Sequence, residues 1–154
     1  MFKLSKLTDY AVVVLVRLGR EDVVQTSPGI AACIGLPEPT VAKVLKTLAG
    51  TGLVVSQRGA RGGYRLARPL AEIPVAAVIA AIDGPIALTA CVDNGACESH
   101  GLCPMHGRWD PVNEAIEAAL RGITLADMDR AIPRAFRAKP AAGHEAGAAL
   151  QTAV

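Results

Sequence analysis

Three cysteines at even spacing, Cys91-x5-Cys97-x5-Cys103, are the residues of this chain whose types and positions most directly suggest chemistry. They fall in a stretch from 89 to 107 that also holds two histidines and three glycines and shows no helical or strand period, so it reads as a loop. Gly95 and Gly101 bracket part of it, Pro104 follows the last cysteine, and His106 lies three positions beyond Cys103. Thiolates on a loop of this length can close round one inorganic centre. Structural zinc usually takes ligand pairs two to four residues apart, and two five-residue gaps supply no such pair of cysteines. Iron-sulfur clusters are held by thiolates at family-specific spacings, and a histidine can replace a cysteine and raise the potential. Cys91, Cys97, Cys103 and His106 therefore favour an iron-sulfur cluster. Zinc, unliganded redox thiols and plain core cysteines are the alternatives, the glycines arguing against the last, and His100 is the competing histidine. Cys33, in the apolar run Ile30-Ala31-Ala32-Cys33-Ile34, reads as a small buried hydrophobe.

An enzymatic use of these residues is disfavoured. Cys103 and His106 resemble a nucleophile pair, but no third orienting group is evident, and the chain has no phosphate-binding glycine loop.

The loop must be positioned by what flanks it. A short helix is expected over residues 75–82, ended by Asp83-Gly84-Pro85. After the loop, Asp110-Pro111 reads as an N-cap and first-turn pair. Trp109, Val112, Ile116, Leu120 and Ile123 fall near one face of the helix that follows, which closes at Arg121-Gly122. An isolated apolar stripe of this kind needs a partner. Thr124 to Asp127 can cap a further turn or two. From about Ala138 the chain is rich in Ala and Gly with little pattern, and reads as a tail.

Upstream, Leu4, Leu7, Ala11, Val14, Leu15 and Leu18 recur at helical spacing, which predicts a helix with one buried face over residues 5–20. Ser27-Pro28 reads as an N-cap and first helical residue, and Gly35 as the stop of a two-turn helix. Pro39 can open a third helix running through Val41, Val44, Leu45 and Leu48 to the Gly50-Thr51-Gly52 break. Two helices joined by a few residues read as helix-turn-helix. Two strand-like runs, 53–58 and 64–67, flank Gly59-Ala60-Arg61-Gly62-Gly63, so a glycine-rich hairpin, or wing, is expected next.

Charge agrees with that order. The formal net charge is only +2, yet residues 1–70 carry ten Lys or Arg against four Asp or Glu, and the remainder six against ten. The first part suits a polyanion. With Val41, Val44, Leu45 and Leu48 facing inward, Thr40, Lys43, Lys46 and Thr47 are left on the outer face of the third helix, where they can reach a major groove. Between Thr40 and Arg68 six basic residues occur and no acidic one. Arg61 sits at the wing tip, suited to a minor groove, and Arg58 at the wing base. The chain has no stretch near the roughly 20 apolar residues of a membrane span. It reads as cytoplasmic, in a compartment that keeps thiols reduced.

Together these residues resemble the IscR/NsrR-type (Rrf) family of bacterial winged-helix regulators, and within it the regulators of SUF iron-sulfur assembly operons. The likeness covers roughly residues 1–125. It is carried by Leu7-Thr8-Asp9-Tyr10-Ala11, by Gly52-Leu53-Val54 leading to Arg58-Gly59-Ala60-Arg61-Gly62-Gly63-Tyr64, by Ala81-Ile82-Asp83-Gly84-Pro85, and by the cysteine loop with Cys103-Pro104-Met105-His106. The resemblance implies a homodimer in which the helix after the loop crosses its partner, a wing in the minor groove, and Cys91, Cys97 and Cys103 as cluster ligands. It also implies feedback control of iron-sulfur biogenesis. His106 stands where the family's best-known iron-sulfur regulator has a histidine ligand, which favours 2Fe-2S; related sensors hold 4Fe-4S on the same three cysteines. Ala42 stands where that regulator has an operator-discriminating glutamate, so operator preference does not carry over.

The expected fold is mainly α with a small β wing: a winged helix-turn-helix over residues 1–70, a cluster loop and dimerisation helix over 71–130, and a tail over 131–154. The expected function is that of a non-enzymatic, iron-sulfur-sensing transcriptional repressor of SUF genes, binding a double-stranded operator as a homodimer. A nitric-oxide or redox sensor of the same build is the nearest alternative, and a zinc-stabilised DNA-binding module the next.

Overall fold

The computed structural model describes residues 3–92 and 102–131. Cys97, His100 and the tail lie outside the described residues. Helix α1 (Lys6–Leu18) starts where Ser5, in extended conformation, accepts the Thr8 amide on its hydroxyl, and it buries Ala11, Val14, Leu15 and Leu18. Helix α2 (Ser27–Ile34) is capped by Thr26, whose hydroxyl accepts the Gly29 amide, so the cap lies one residue before the Ser27 expected from sequence. Both residues carry a hydroxyl; Thr26 has the extended backbone that a cap requires and Ser27 is already helical. Gly35 ends α2 in the left-handed conformation, at φ 69°. Three residues later α3 (Glu38–Gly50) begins, with Pro39 in its first turn, and buries Val41, Val44, Leu45 and Leu48.

The chain then turns into β1 (Val54–Gln57) and β2 (Gly63–Leu66), an antiparallel pair in the register Val54 to Leu66 and Gln57 to Gly63. This hairpin is tied back to the helices. Gln25, in the link between α1 and α2, pairs with Tyr64 through two backbone hydrogen bonds of 2.9 and 2.8 Å. The approach is so close that a Cβ at Gly63 would lie 2.5 Å from the Gln25 carbonyl oxygen. Glycine is therefore required at that position by contact.

A 3-10 turn (Leu70–Glu72) leads to α4 (Val75–Asp83), whose Val75, Val78 and Ile79 enter the same core as α1 and α3. Beyond the cysteine loop, α5 (Asp110–Arg121) runs out, and α6 (Leu125–Ala131) returns to α1 and the 3-10 turn. The return is fixed by an antiparallel bridge between Pro74 and Thr124, with Leu125 N donating to Ile73 O and Val75 N to Ile123 O, each at 2.9 Å. Thr124 and Asp127 close a reciprocal cap at the start of α6. The core thus draws Leu15, Leu45 and Leu48 together with Ile73, Val78 and Leu125.

Two further sequence expectations are corrected. Asp110 is the first residue of α5 and Trp109 occupies the capping position, in helical backbone and without a side-chain cap bond. Cys33 is exposed rather than buried, because α2 turns Ile30 and Ala31 to the core and leaves the thiol outside, 3.6 Å from Arg17 Nη2.

Candidate cluster loop and nucleic-acid interface

The wing is a product of its glycines. Gly62 N donates to Gly59 O at 2.9 Å, which puts Ala60 and Arg61 at the corner of a tight turn. A side chain at Gly62 would press on the Gln57 carbonyl oxygen, 2.5 Å from its Cβ. Arg61 at that corner and Arg58 at the end of β1 are both exposed. On α3, Lys43 and Lys46 are exposed, whereas Thr40 and Thr47 are half-buried. The Thr47 hydroxyl donates to the Lys43 carbonyl at 3.1 Å, so it is satisfied within its own helix and the two lysines are the more available groups. Arg65 and Arg68 are exposed as well.

The cysteine loop departs from the C-terminus of α4. There Asp83 accepts the Thr8 hydroxyl at 2.7 Å and the Ser5 amide at 3.4 Å. Burial works against its charge, but the hydrogen bonds from Thr8 and Ser5 outweigh it and hold the carboxyl below its ordinary range. Gly84 breaks the helix with φ 90°, and the segment that follows is held by Asn113 of α5. Asn113 Nδ2 donates to Ile86 O at 2.9 Å, and its Oδ1 accepts from Leu88 N at 3.0 Å. Cys91 comes next, half-buried in a turn in which Val92 N donates to Thr89 O, with the Thr89 hydroxyl 3.6 Å from its sulfur.

The chain re-enters the described residues just before Cys103, which is also half-buried. A run of turns follows: His106 N donates to Cys103 O, Arg108 N to Met105 O and Asp110 N to Gly107 O, and α5 starts. His106 is exposed on the first of these turns. Cys91 and Cys103 therefore stand on either side of the 93–101 stretch, each within a short distance along the chain of a contact to α5. Cys97 lies outside the described residues, and among the described residues no three His, Cys, Asp or Glu side chains form a metal-binding group.

Asn113, which ties the segment entering the loop to α5, is a residue that the sequence pattern does not single out. It is 5% exposed, the one buried position of α5, whose Val112 is exposed, as is the capping Trp109. A polar residue beside an apolar stripe looks like part of the solvent face, and nothing local marks it as a clamp.

A helix-turn-helix and a hairpin wing grown from one core define a winged-helix DNA-binding regulator. The chain belongs to the Rrf2 family, described as iron-dependent transcriptional regulators, whose model matches residues 4–131. It is similar to the HTH-type transcriptional regulator NsrR of Geobacillus kaustophilus, at 33% identity over 141 residues, covering 87% of this chain and 95% of the relative. Among solved structures it is similar to T. potens IscR, with a TM-score of 0.64 and 30% identity over 90% of this chain and 94% of that one. It shares its fold with CymR, the global cysteine regulator of B. subtilis, with a TM-score of 0.67 and 24% identity over 86% of this chain and all of the other. The relatives are transcriptional regulators, and so is this chain; it is not an enzyme. No helix among the described residues is long and apolar enough to cross a membrane.

Proposed function

We propose that this regulator senses an iron-sulfur cluster held by Cys91, Cys97 and Cys103, with His106 as the fourth ligand of a 2Fe-2S centre, and represses SUF-type assembly genes when clusters are plentiful. The observation that carries this reading is the pair Cys91 and Cys103, half-buried thiols on turns at the two ends of one loop whose flanks both meet α5. The donor set suits the group: thiolates for iron, and one imidazole to raise the potential. When bound, the cluster supplies a centre whose loss or oxidation reports iron and redox state. The protein's own part is to order the loop and pass that order to the helices that meet DNA.

Lys43 and Lys46 on α3, with Thr40 and Thr47 beside them, enter the major groove of the operator; Arg58 and Arg61 carry the wing to the minor groove. The exposed Trp109 at the cap of α5 and Val112 within it, continued by the exposed Ile123, form the face on which a second copy packs to make a homodimer. The protein acts in the cytoplasm, where its DNA is.

Visible absorption together with iron, sulfide and zinc analysis of protein purified without oxygen tests the reading, alongside Cys91→Ala. A brown protein with matched iron and sulfide that the variant loses is the expected result. Colourless protein with one tightly bound zinc overturns it in favour of a structural module. A DNA titration giving equal affinity for holo and apo protein removes the sensing role. Exposing the holo protein in turn to nitric oxide and to oxygen shows which attacks the cluster.

A further inference from the structure

We infer that Asn113 is the positioning residue that carries the state of the cysteine loop into α5, an inference that rests on the sensor reading above. Its carboxamide spends both halves on one backbone segment, donating to Ile86 O at 2.9 Å and accepting from Leu88 N at 3.0 Å. Burying an amide is unfavourable unless both halves are bonded. Here the bonds reach across 25 and 27 positions to the segment entering the loop, and Leu88 is three residues before Cys91. The outgoing end of the loop reaches the same place by a different route, through the turns from Cys103 to Asp110 and by Arg108 Nε donating to Pro104 O at 3.2 Å. Asn113 N in turn donates to Trp109 O at 2.9 Å, so the clamp sits on the first turn of α5, where those turns end.

Packing of Ile86 against the core holds the segment on one side only. A cavity of about 630 Å³ opens between α4, the 85–92 stretch and α5, lined by Ala77, Ala80, Ile86, Val92 and Glu117 as well as Asn113. The incoming segment therefore has room to shift on that side, where the two hydrogen bonds of Asn113 are what tie it to α5. Upstream the same segment is anchored to the DNA-binding core by Asp83 and Thr8. Ligation at Cys91 that draws on the Leu88 amide acts through Asn113 on the helix, and through Asp83 on α1.

The test uses wild type, Asn113→Ala and Asn113→Asp as full chains, each apo and anaerobically reconstituted with iron and sulfide. Two readouts are taken: hydrogen exchange at the Leu88 amide in the apo protein, and the ratio of apo to holo dissociation constants for operator DNA. In wild type that ratio departs from one by at least about fivefold, the lower range of allosteric coupling. In Asn113→Ala it falls to within about twofold of one at unchanged iron and sulfide content, and Leu88 exchange rises at least about tenfold, as expected for a locally opened amide. Asn113→Asp keeps the acceptor for Leu88 N but loses the donor to Ile86 O, and retains part of the coupling. A wild-type ratio in Asn113→Ala, or unchanged Leu88 exchange, overturns the inference; both affinities falling together at constant ratio shows a merely structural residue and overturns it too. If Asn113→Ala does not fold, a wild-type ratio in Asn113→Asp does the same. Wild-type protein that takes up no cluster, or binds DNA equally in both states, sinks the sensor reading and this inference together, whereas coupling intact in wild type and variants alike sinks this inference alone.

Discussion

Thr8 Oγ1 and Asp83 Oδ2 are joined by a 2.7 Å hydrogen bond across 75 positions of sequence. Thr8 is buried, at 1% exposure, and its hydroxyl also accepts from Ser5 Oγ at 3.2 Å. Asp83 is the last residue of α4, where a negative charge meets the negative end of a helix dipole. The Thr8 hydroxyl and the Ser5 amide offset that placement. The bond fastens the first turn of the DNA-binding core to the root of the cysteine loop, and it unites two of the motifs that carried the family resemblance.

Removing the hydroxyl leaves a buried methyl facing a carboxylate that has lost its best donor. Thr8→Val is expected to lower stability by about 0.5–1.5 kcal/mol, the net range for an intramolecular hydrogen bond, since the exposed Asp83 carboxylate can turn to water instead, and Thr8→Ser to recover most of it. Urea denaturation of the three proteins checks this; equal midpoints would show that the bond contributes nothing.

The Asp83 carboxyl is held below its ordinary value of 3.8. A group with a depressed folded value adds stability above its unfolded value and loses it as pH falls through the folded one. Wild type should therefore lose stability more steeply than Asp83→Asn below about pH 4, and the two curves should run parallel above about pH 6, where the carboxyl is ionised in both states. Parallel curves throughout would remove Asp83 from the acid limb. Because Asp83 is largely exposed, the difference is expected to be modest.

Gly63 and Gly50 make a matched pair. A Cβ at Gly63 meets the Gln25 carbonyl at 2.5 Å, whereas one at Gly50, the last residue of α3, meets nothing within 4 Å. Gly63→Ala should cost about 1–3 kcal/mol through strain at the wing anchor, and Gly50→Ala should be neutral or stabilise by up to about 1 kcal/mol. Thermal denaturation distinguishes the two, and a tolerant Gly63 would mean that the wing shifts freely away from Gln25.

Lys43, Lys46 and Arg61 should each reveal themselves in salt dependence. Replacing any of them with alanine is expected to weaken operator binding at low salt. The slope of log affinity against log salt should fall by about 1 for each phosphate that the side chain no longer neutralises. Fluorescence anisotropy over a salt series measures both. An unchanged slope for all three would move the interface elsewhere.

Cys33 is exposed, beside Arg17 Nη2 at 3.6 Å. Cys33→Ser should change stability by no more than about 0.5 kcal/mol, as surface substitutions do, and the thiol should react with a disulfide reagent in the native protein. A buried thiol would instead resist the reagent and make the serine costly.

Most of the fold was legible in the sequence because its information is local. The spacing of Val14, Leu15 and Leu18, and of Val41, Val44, Leu45 and Leu48, sets which helix faces are buried, and those faces are the ones in the core. Gly35, the 59–63 glycines and the Asp83-Gly84-Pro85 stop mark where elements end, since few other residues fit those backbones. Less was legible where two neighbours carry the same chemistry. Thr26 and Ser27 can each cap a helix, and only the backbone path from Gln25, which is pinned to Tyr64, selects Thr26.

The sequence by itself determined the helix-turn-helix, the glycine wing, the excess of positive charge in residues 1–70 and the spacing of the three cysteines, all of which follow from residue type and period. Only the tertiary structure decided that Cys33 faces outward, that Thr8 holds Asp83, and that Asn113 grips Ile86 and Leu88. Each of these depends on which distant segment arrives opposite a side chain. A short-range pattern can say that a polar residue needs a partner, but packing of the whole chain chooses which one it receives.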